Sequence, residues 1–464
     1  MDGISRRRYL RRSLAVGAAL TAGCLGNGGP GGGSTPTDTP TDTPPGGTRT
    51  PASTRSPAPD PDTPEETTTD ATPGDGGESP TPAEEPATPD SEAVSWYDDV
   101  GPAIETTPVL GDGAVYAGTK GGTVVRHALD DGAEAWVFET GTPIQDLALA
   151  GDAVLAVSGT VELGADQTLY ALDAASGEQR WTFSPGNWWF ELLATRDGVV
   201  YVATADDALG PSGQELFAVP VAGGEPAWSA EIGDPREAVL TDDGVFVSST
   251  GRVYAFDRAD GEKRWHAEVP DQTFTTLAAV DGVVVQGFRP EDADVYGVLA
   301  GFDPRSGEER WRLDDWTVTS AGARDGDLYA GGGAVAALDP ADGTTRWQTE
   351  SHGFVRESGI GETHLYAGGE GVQAIDRESG ETDWSWSPEP AQGGVQAAGF
   401  ADGRLYLDAY HDAEPRNQYK FAVGTNAGDG VWAFEDGTQL TDLAVGEDGI
   451  AIVGGANGRL YALR

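Results

Sequence analysis

Ala171-Leu172-Asp173-Ala174-Ala175-Ser176-Gly177-Glu178-Gln179-Arg180-Trp181 reads as the end of one strand, a tight turn at Ser176-Gly177 and a second strand opening on tryptophan. The frame returns at Ala255–Trp265, at Gly301–Trp311 (with Ala300 in the leading place, one residue early), at Ala337–Trp347 and at Ala374–Trp384. Two copies keep the spacing and lose the Asp, Ala218–Trp228 with Pro220 and Ala422–Trp432 with Gly424. An early copy, Ala128–Trp136, reads as two residues shorter. A unit recurring every 36 to 48 residues is the signature of a repeat architecture, in which each unit buries its faces against its neighbours.

Within each unit an apolar run leads to a two-residue turn: Asp112-Gly113, Asp197-Gly198, Asp243-Gly244, Asp281-Gly282, Asp325-Gly326, Asp402-Gly403 and Asp448-Gly449. Asp-Gly between alternating apolar runs marks a hairpin, because the turn needs positive φ. A second strand follows, such as Val199-Val200-Tyr201-Val202, then the third ending in the frame above, then a fourth near the tryptophan. Four antiparallel strands per unit are the blade of an all-β propeller, and no helical periodicity competes. Trp96, Trp136, Trp181, Trp228, Trp265, Trp311, Trp347, Trp384 and Trp432 are expected between blades, where a large ring fills the wedge and its N–H seeks a partner. The last unit stops at Tyr461-Ala462-Leu463-Arg464 without a fourth strand, and Ser95-Trp96-Tyr97 supplies one. The ring therefore has eight or nine blades and closes through its N-terminal strand.

The other 93 residues have a different character. Ser5-Arg6-Arg7-Arg8-Tyr9-Leu10 matches the twin-arginine export pattern and precedes an apolar run from Leu14 to Ala22, too short to span a bilayer. Thr21-Ala22-Gly23-Cys24 holds the only cysteine and resembles a lipoprotein processing site, with Thr21 where leucine is usual. Residues 1–23 then form a signal peptide cleaved before a lipidated Cys24, with Arg6 and Arg7 as the export signal. Residues 24–93 are Thr- and Pro-rich, and from Asn27 to Ala93 there is no Val, Ile, Leu, Met, Phe, Tyr or Trp. Nothing there offsets the entropy of ordering, so a disordered tether to a propeller of residues 94–464 is expected.

Net charge is −47, from 76 acidic and 29 basic residues, with only three lysines. That balance excludes a nucleic-acid partner, which needs clustered Lys and Arg. It resembles the surface of proteins from salt-loving microbes, where salt screens the self-repulsion.

The Ala-x-Asp-x-x-(Thr/Ser)-Gly-x-x-x-Trp frame resembles the tryptophan-docking repeat of the pyrroloquinoline quinone (PQQ)-like family. One branch of that family holds quinoprotein alcohol and sugar dehydrogenases; another holds cofactor-free propellers such as the lipoprotein BamB. The dehydrogenase branch implies PQQ against an adjacent cysteine pair and Ca²⁺ held by Glu, Asn and Asp. No Cys follows Cys24, and no acidic residue sits in a matching context. Glu291-Asp292-Ala293-Asp294 offers oxygen ligands without the spacing of a calcium loop, and His127, His266, His352, His364 and His411 show no metal-ligand spacing.

Surplus length falls in one connection, between second and third strands: Ser158–Gln167, Ala205–Gln214, Arg289–Val295 and His411–Gln418. In a propeller this link opens on the same face as the link to the next blade. Insertions confined to one face mark a binding face, so Trp188, Trp189, Phe288, Arg289, Tyr410, His411 and Arg416 are its candidate residues. The plainer reading, drifted loops with aromatics packed beneath them, stands beside it. The expectation is a monomeric, exported propeller, membrane-bound through its lipid alone, that binds protein at the outer cell surface, catalyses nothing and carries no cofactor or metal. Alternatives are a PQQ- and Ca²⁺-dependent alcohol or sugar dehydrogenase and a carbohydrate-binding or sensing propeller.

Overall fold

The computed structural model describes residues 92–160, 167–186, 189–205, 214–233, 235–249, 251–268, 272–290, 297–388, 394–410 and 418–464. The export signal, Cys24 and the Thr/Pro-rich tract lie outside them. Nine antiparallel sheets follow one another along the described residues. Eight are formed in sequence order by residues 109–139, 144–183, 189–232, 235–268, 272–316, 318–348, 364–386 and 394–434. The ninth combines Ala444–Val445, Ala451–Gly454 and Arg459–Leu463 with the early strand Val94–Asp99. The first strands of successive blades touch one another all the way round, the last against the first. This is a nine-bladed propeller, one blade beyond the usual range. In the seventh blade a 3₁₀ turn, Glu357–Gly359, takes the inner-strand place and packs against the inner strands on both sides.

Five of the seven Asp-Gly pairs form the expected turn, with both residues at positive φ: Asp112-Gly113, Asp197-Gly198, Asp281-Gly282, Asp325-Gly326 and Asp402-Gly403. Two do not. Thr241 pairs with Gly244, so the fourth blade turns on Asp242-Asp243 and Gly244 already belongs to the next strand. In the ninth blade Val445 pairs with Ala451, so Asp448-Gly449 sits inside a five-residue loop.

The repeated frame is a docking device. Its backbone pairs Ala171 with Trp181, Ala218 with Trp228, Gly301 with Trp311 and Ala462 with Trp96. The early copy is not shortened: Trp136 pairs with Arg126, which holds the alanine position, and Ala128 holds that of the Asp. The match at Ala128 was set by residue type, whereas register is set by the ladder. Eight of the nine docking indoles reach into the next blade and donate to the carbonyl just after the Asp position, as Trp136 does to Ala174 at 3.1 Å and Trp311 to Pro340 at 2.8 Å. The frame glycine lies flat on that indole: a Cβ on Gly177, at φ +75°, would stand 2.6 Å from Trp136 Cδ2. Glycine is needed there twice over, for its φ and for the approach. Each wedge between blades holds one cluster of buried side chains, and there are nine. Six tryptophans also meet a second-strand aromatic of their own blade, from Tyr116–Trp136 at 5.9 Å to Tyr406–Trp432 at 6.0 Å.

At the seam, the Arg464 N–H donates to the Ala93 carbonyl at 2.8 Å. An ordinary turn makes the same bond from Asp173 to Glu178. Trp96 docks on the Leu129 carbonyl at 2.9 Å, and Arg459 pairs with Asp99. Two segments distant in sequence thus rebuild one frame. Trp432 Nε1 is buried without a hydrogen-bond partner among the described residues.

Candidate functional site

Strand order decides which loops share a face. The link into each first strand and the link from second to third strand open at the same end, opposite the Asp-Gly hairpins and the docking turns. At that end lies a cavity of about 460 Å³ lined by residues of the ninth, first and second blades. Ile104, Glu105, Pro143, Gln439 and Leu440 come from the incoming links, and Lys120, Thr160 and Ala456 from second-to-third connections. Glu105 and Lys120 pair at 3.0 Å across half-exposed side chains, a contact worth little by itself. The remaining polar groups are amides and hydroxyls (Gln145, Gln439, Thr160 and Thr441), beside apolar Ile104 and Leu440. Such a lining can bind neutral hydrogen-bonding partners such as a peptide backbone. Among its described residues there is no nucleophile beside a base.

Several polar side chains on the inner segments bond to neighbouring blades. Arg196 donates to the Leu240 carbonyl at 2.8 Å, and Glu237 accepts the Leu277 N–H at 3.1 Å. The Thr276 hydroxyl accepts the Ala321 N–H at 3.0 Å, and Ser320 accepts that of Val355 at 2.8 Å. Ser358 donates to the Ala397 carbonyl at 2.8 Å. These bonds clasp inner strands whose channel-side backbone has no ladder partner.

Among the described residues, one ion pair is fully buried. Asp408 and Lys420, cross-strand neighbours in the eighth blade, meet at 2.6 Å, and Asp408 Oδ1 also accepts the Leu443 N–H of the ninth blade at 3.2 Å. Burial pushes the Asp408 carboxyl above its ordinary range, with the Lys420 ammonium pulling against that shift. Gln396 stands opposite Asp408 on the inner strand, and its Oε1 is buried with no partner.

The sequence-derived candidates fare unevenly. Trp188, His411 and Arg416 lie outside the described residues, as do the side chains of Trp189, Arg289 and Tyr410 and the acidic run Glu291–Asp294. Phe288 is corrected: it is fully buried in the wedge between the fourth and fifth blades, because its place in Val283–Pro290 faces the sheet interior rather than the loop. Phe288 is not among the residues that line the cavity. Conversely, the structure brings together a group that spacing did not reveal: Asp98, His127 and Glu134, whose ligand atoms lie within 4.8 Å of one another. They sit on three strands of two blades.

Comparison with known proteins places the chain. The computationally designed Ika8 protein matches with a TM-score of 0.51 at 15% identity, over 80% of this chain and 98% of that one. BamB from Moraxella catarrhalis matches at 0.44 and 15%, over 80% and 98%. Quinohemoprotein alcohol dehydrogenase ADHIIG from Pseudomonas putida HK5 matches at 0.49 and 13%, over 82% and 78%. A serine/threonine-protein kinase, AfsK of Streptomyces griseus, is 30% identical over 160 residues, 31% of this chain, which spans 19% of that relative's length. The family model described as outer membrane protein assembly factor BamB matches residues 87–267 and 295–414, more than half of the chain, which therefore belongs to this PQQ-like propeller repeat family.

Proposed function

We propose that this protein is an exported, lipid-anchored propeller that binds a protein partner at the outer face of the cell membrane and catalyses no reaction. The observation that carries this reading is how the polar groups are divided. Several on the inner segments, Glu237, Thr276, Ser320 and Ser358, are engaged with neighbouring blades, and those at the open cavity are amides, hydroxyls and one weak ion pair. A surface of that kind holds backbone and polar side chains of a partner and activates no bond. Cys24 and the twin-arginine pattern supply the anchor and the route, and the acidic surface keeps the molecule soluble in brine.

The test is capture of envelope proteins by the full chain and by Lys120→Ala/Gln439→Ala. Both side chains are exposed at the cavity, so folding stays intact while the captured set shrinks. Capture identical in both chains overturns the site. Cys24→Ser is expected to release the protein from membranes into the medium.

The second reading, a quinone-dependent dehydrogenase, rests on the other branch of the family. The residues fit that cofactor poorly. The chain has no adjacent cysteine pair, and Asp408 and Lys420, the buried ionic pair of the eighth blade, are closed on each other. Dye-linked oxidation of an alcohol or sugar after addition of PQQ and Ca²⁺ would establish it and displace the first.

A further inference from the structure

The ring has nine wedges, and eight share one chemistry. The residue before the Asp position is apolar and buried in each of them: Leu172, Val219, Phe256, Phe302, Leu338, Ile375, Val423 and Leu463. At the wedge between the ninth and first blades that position is His127, which is fully buried. Two residues beyond the tryptophan, most blades carry Phe, Ala, Leu or Trp, such as Phe138 and Phe183 packed in their clusters. At the seam that position is Asp98. Polar residues thus replace apolar ones on both sides of the wedge that two distant segments close.

The two meet. His127 Nε2 lies 2.8 Å from Asp98 Oδ2, and the ring stacks on Trp96 at 6.3 Å. His127 Nδ1 is buried with no partner among the described residues. Burying an imidazole in an apolar wedge costs free energy, and one bond to a half-exposed carboxylate leaves half of the ring's polar capacity unpaid. Glu134, paired with His127 across the first blade's outer ladder, brings a third ligand atom within 4.8 Å of the other two. By contrast, His364 has both ring nitrogens occupied, by Thr363 and Asp383, and belongs to no such group among the described residues.

We propose that Asp98, His127 and Glu134 form a divalent transition-metal site, of the kind that takes Zn²⁺, and that the bound ion staples the closing strand to the first blade. One nitrogen and two carboxylate oxygens suit Zn²⁺ or Co²⁺, with ligand bonds of about 2.0–2.2 Å. That radius places ligand atoms about 3–3.5 Å apart, which lies between the 2.8 Å contact and the 4.8 Å limit of the trio. Exposure of Asp98 leaves an entry path and an open coordination position. The ion thus holds on the first blade a fourth strand that no covalent turn joins to the third strand of its own blade.

Co²⁺ is the probe, added to the full chain after chelation. The expected result is one equivalent bound with visible ligand-field bands, displaced by Zn²⁺ but not by Ca²⁺ or Mg²⁺, and a raised Tm. His127→Leu, which installs the residue found at Leu172, Leu338 and Leu463, is expected to abolish the bands and the rise. Glu134→Gln, at an exposed position, should weaken Co²⁺ binding at least tenfold and leave the apo protein's Tm unchanged. The proposal fails if the wild-type chain shows no bands, or if either variant binds Co²⁺ as the wild type does, which would assign the ion to the acidic surface at large.

Discussion

At the scale of single residues, the docking tryptophans show how a bond and a volume are separated. Trp311 is buried and donates to Pro340; Trp432 is part-buried in an equivalent wedge and its Nε1 has no acceptor. Phenylalanine at either position leaves a comparable cavity, so the difference between the two variants isolates the hydrogen bond. Trp311→Phe is expected to cost roughly 1 kcal/mol more than Trp432→Phe, the size of one such bond. Equal losses in denaturant unfolding would mean that the indole N–H contributes nothing. Lys420 is the second case. Lys420→Met strands a fully buried carboxylate, with an expected cost of about 3–5 kcal/mol, whereas Asp408→Leu with Lys420→Met removes both charges and recovers most of it. If the double variant were as unstable as the single one, the pair would be needed for the cross-blade bond to Leu443 rather than for charge balance.

Among elements, the docking turn and the hairpin both place glycine at positive φ, yet only one has a ring against it. Gly177 and Gly198 sit at φ +75° and +73°; a Cβ at Gly198 meets nothing within 4 Å, and one at Gly177 strikes Trp136. Gly198→Ala therefore measures backbone strain, about 1 kcal/mol. Gly177→Ala adds displacement of a docked indole, and a total loss of roughly 2–4 kcal/mol is expected. Equilibrium unfolding of the two variants checks the order. This is also why the turn was legible in the sequence: Gly, Asp and Trp are there for reasons repeated at every wedge, so they recur in the text. The inner segment of the seventh blade was not legible, because Arg356-Glu357-Ser358-Gly359 forms its 3₁₀ turn under packing from both neighbours. The trio at the seam escaped for another reason. Asp98 and His127 are 29 residues apart and meet only where a fourth strand docks on the next blade, so no local spacing announces them. The loops proposed for binding carry no repeat at all, and their residues had only their type to speak for them.

For the whole molecule, the balance of charge and closure sets the conditions under which the ring holds. Many of the described ion pairs are exposed contacts, such as Lys120–Glu105 and Arg305–Asp243, too weak to offset 76 acidic residues against 29 basic ones. Net repulsion acts over about 10 Å at 0.1 M salt and about 3 Å at 1 M, so raising the salt relieves more repulsion than it removes attraction. The ring feels that repulsion everywhere but can yield most easily at the seam, where Val94–Asp99 is held by its ladder, by Trp96 and by Arg459–Asp99. Tm is therefore expected to climb steeply between 0.1 and 2 M NaCl. Trp96→Ala should lower it most at low salt and shift the salt needed for half-maximal stability upward. The equivalent loss at a continuous wedge, Trp265→Ala, should lower Tm by a similar amount at every salt concentration, because its strand stays covalently joined to the third strand of its own blade through the docking turn. Parallel salt curves for the two variants would show that the seam is no weaker than any other wedge, and that charge acts on the disc as a whole.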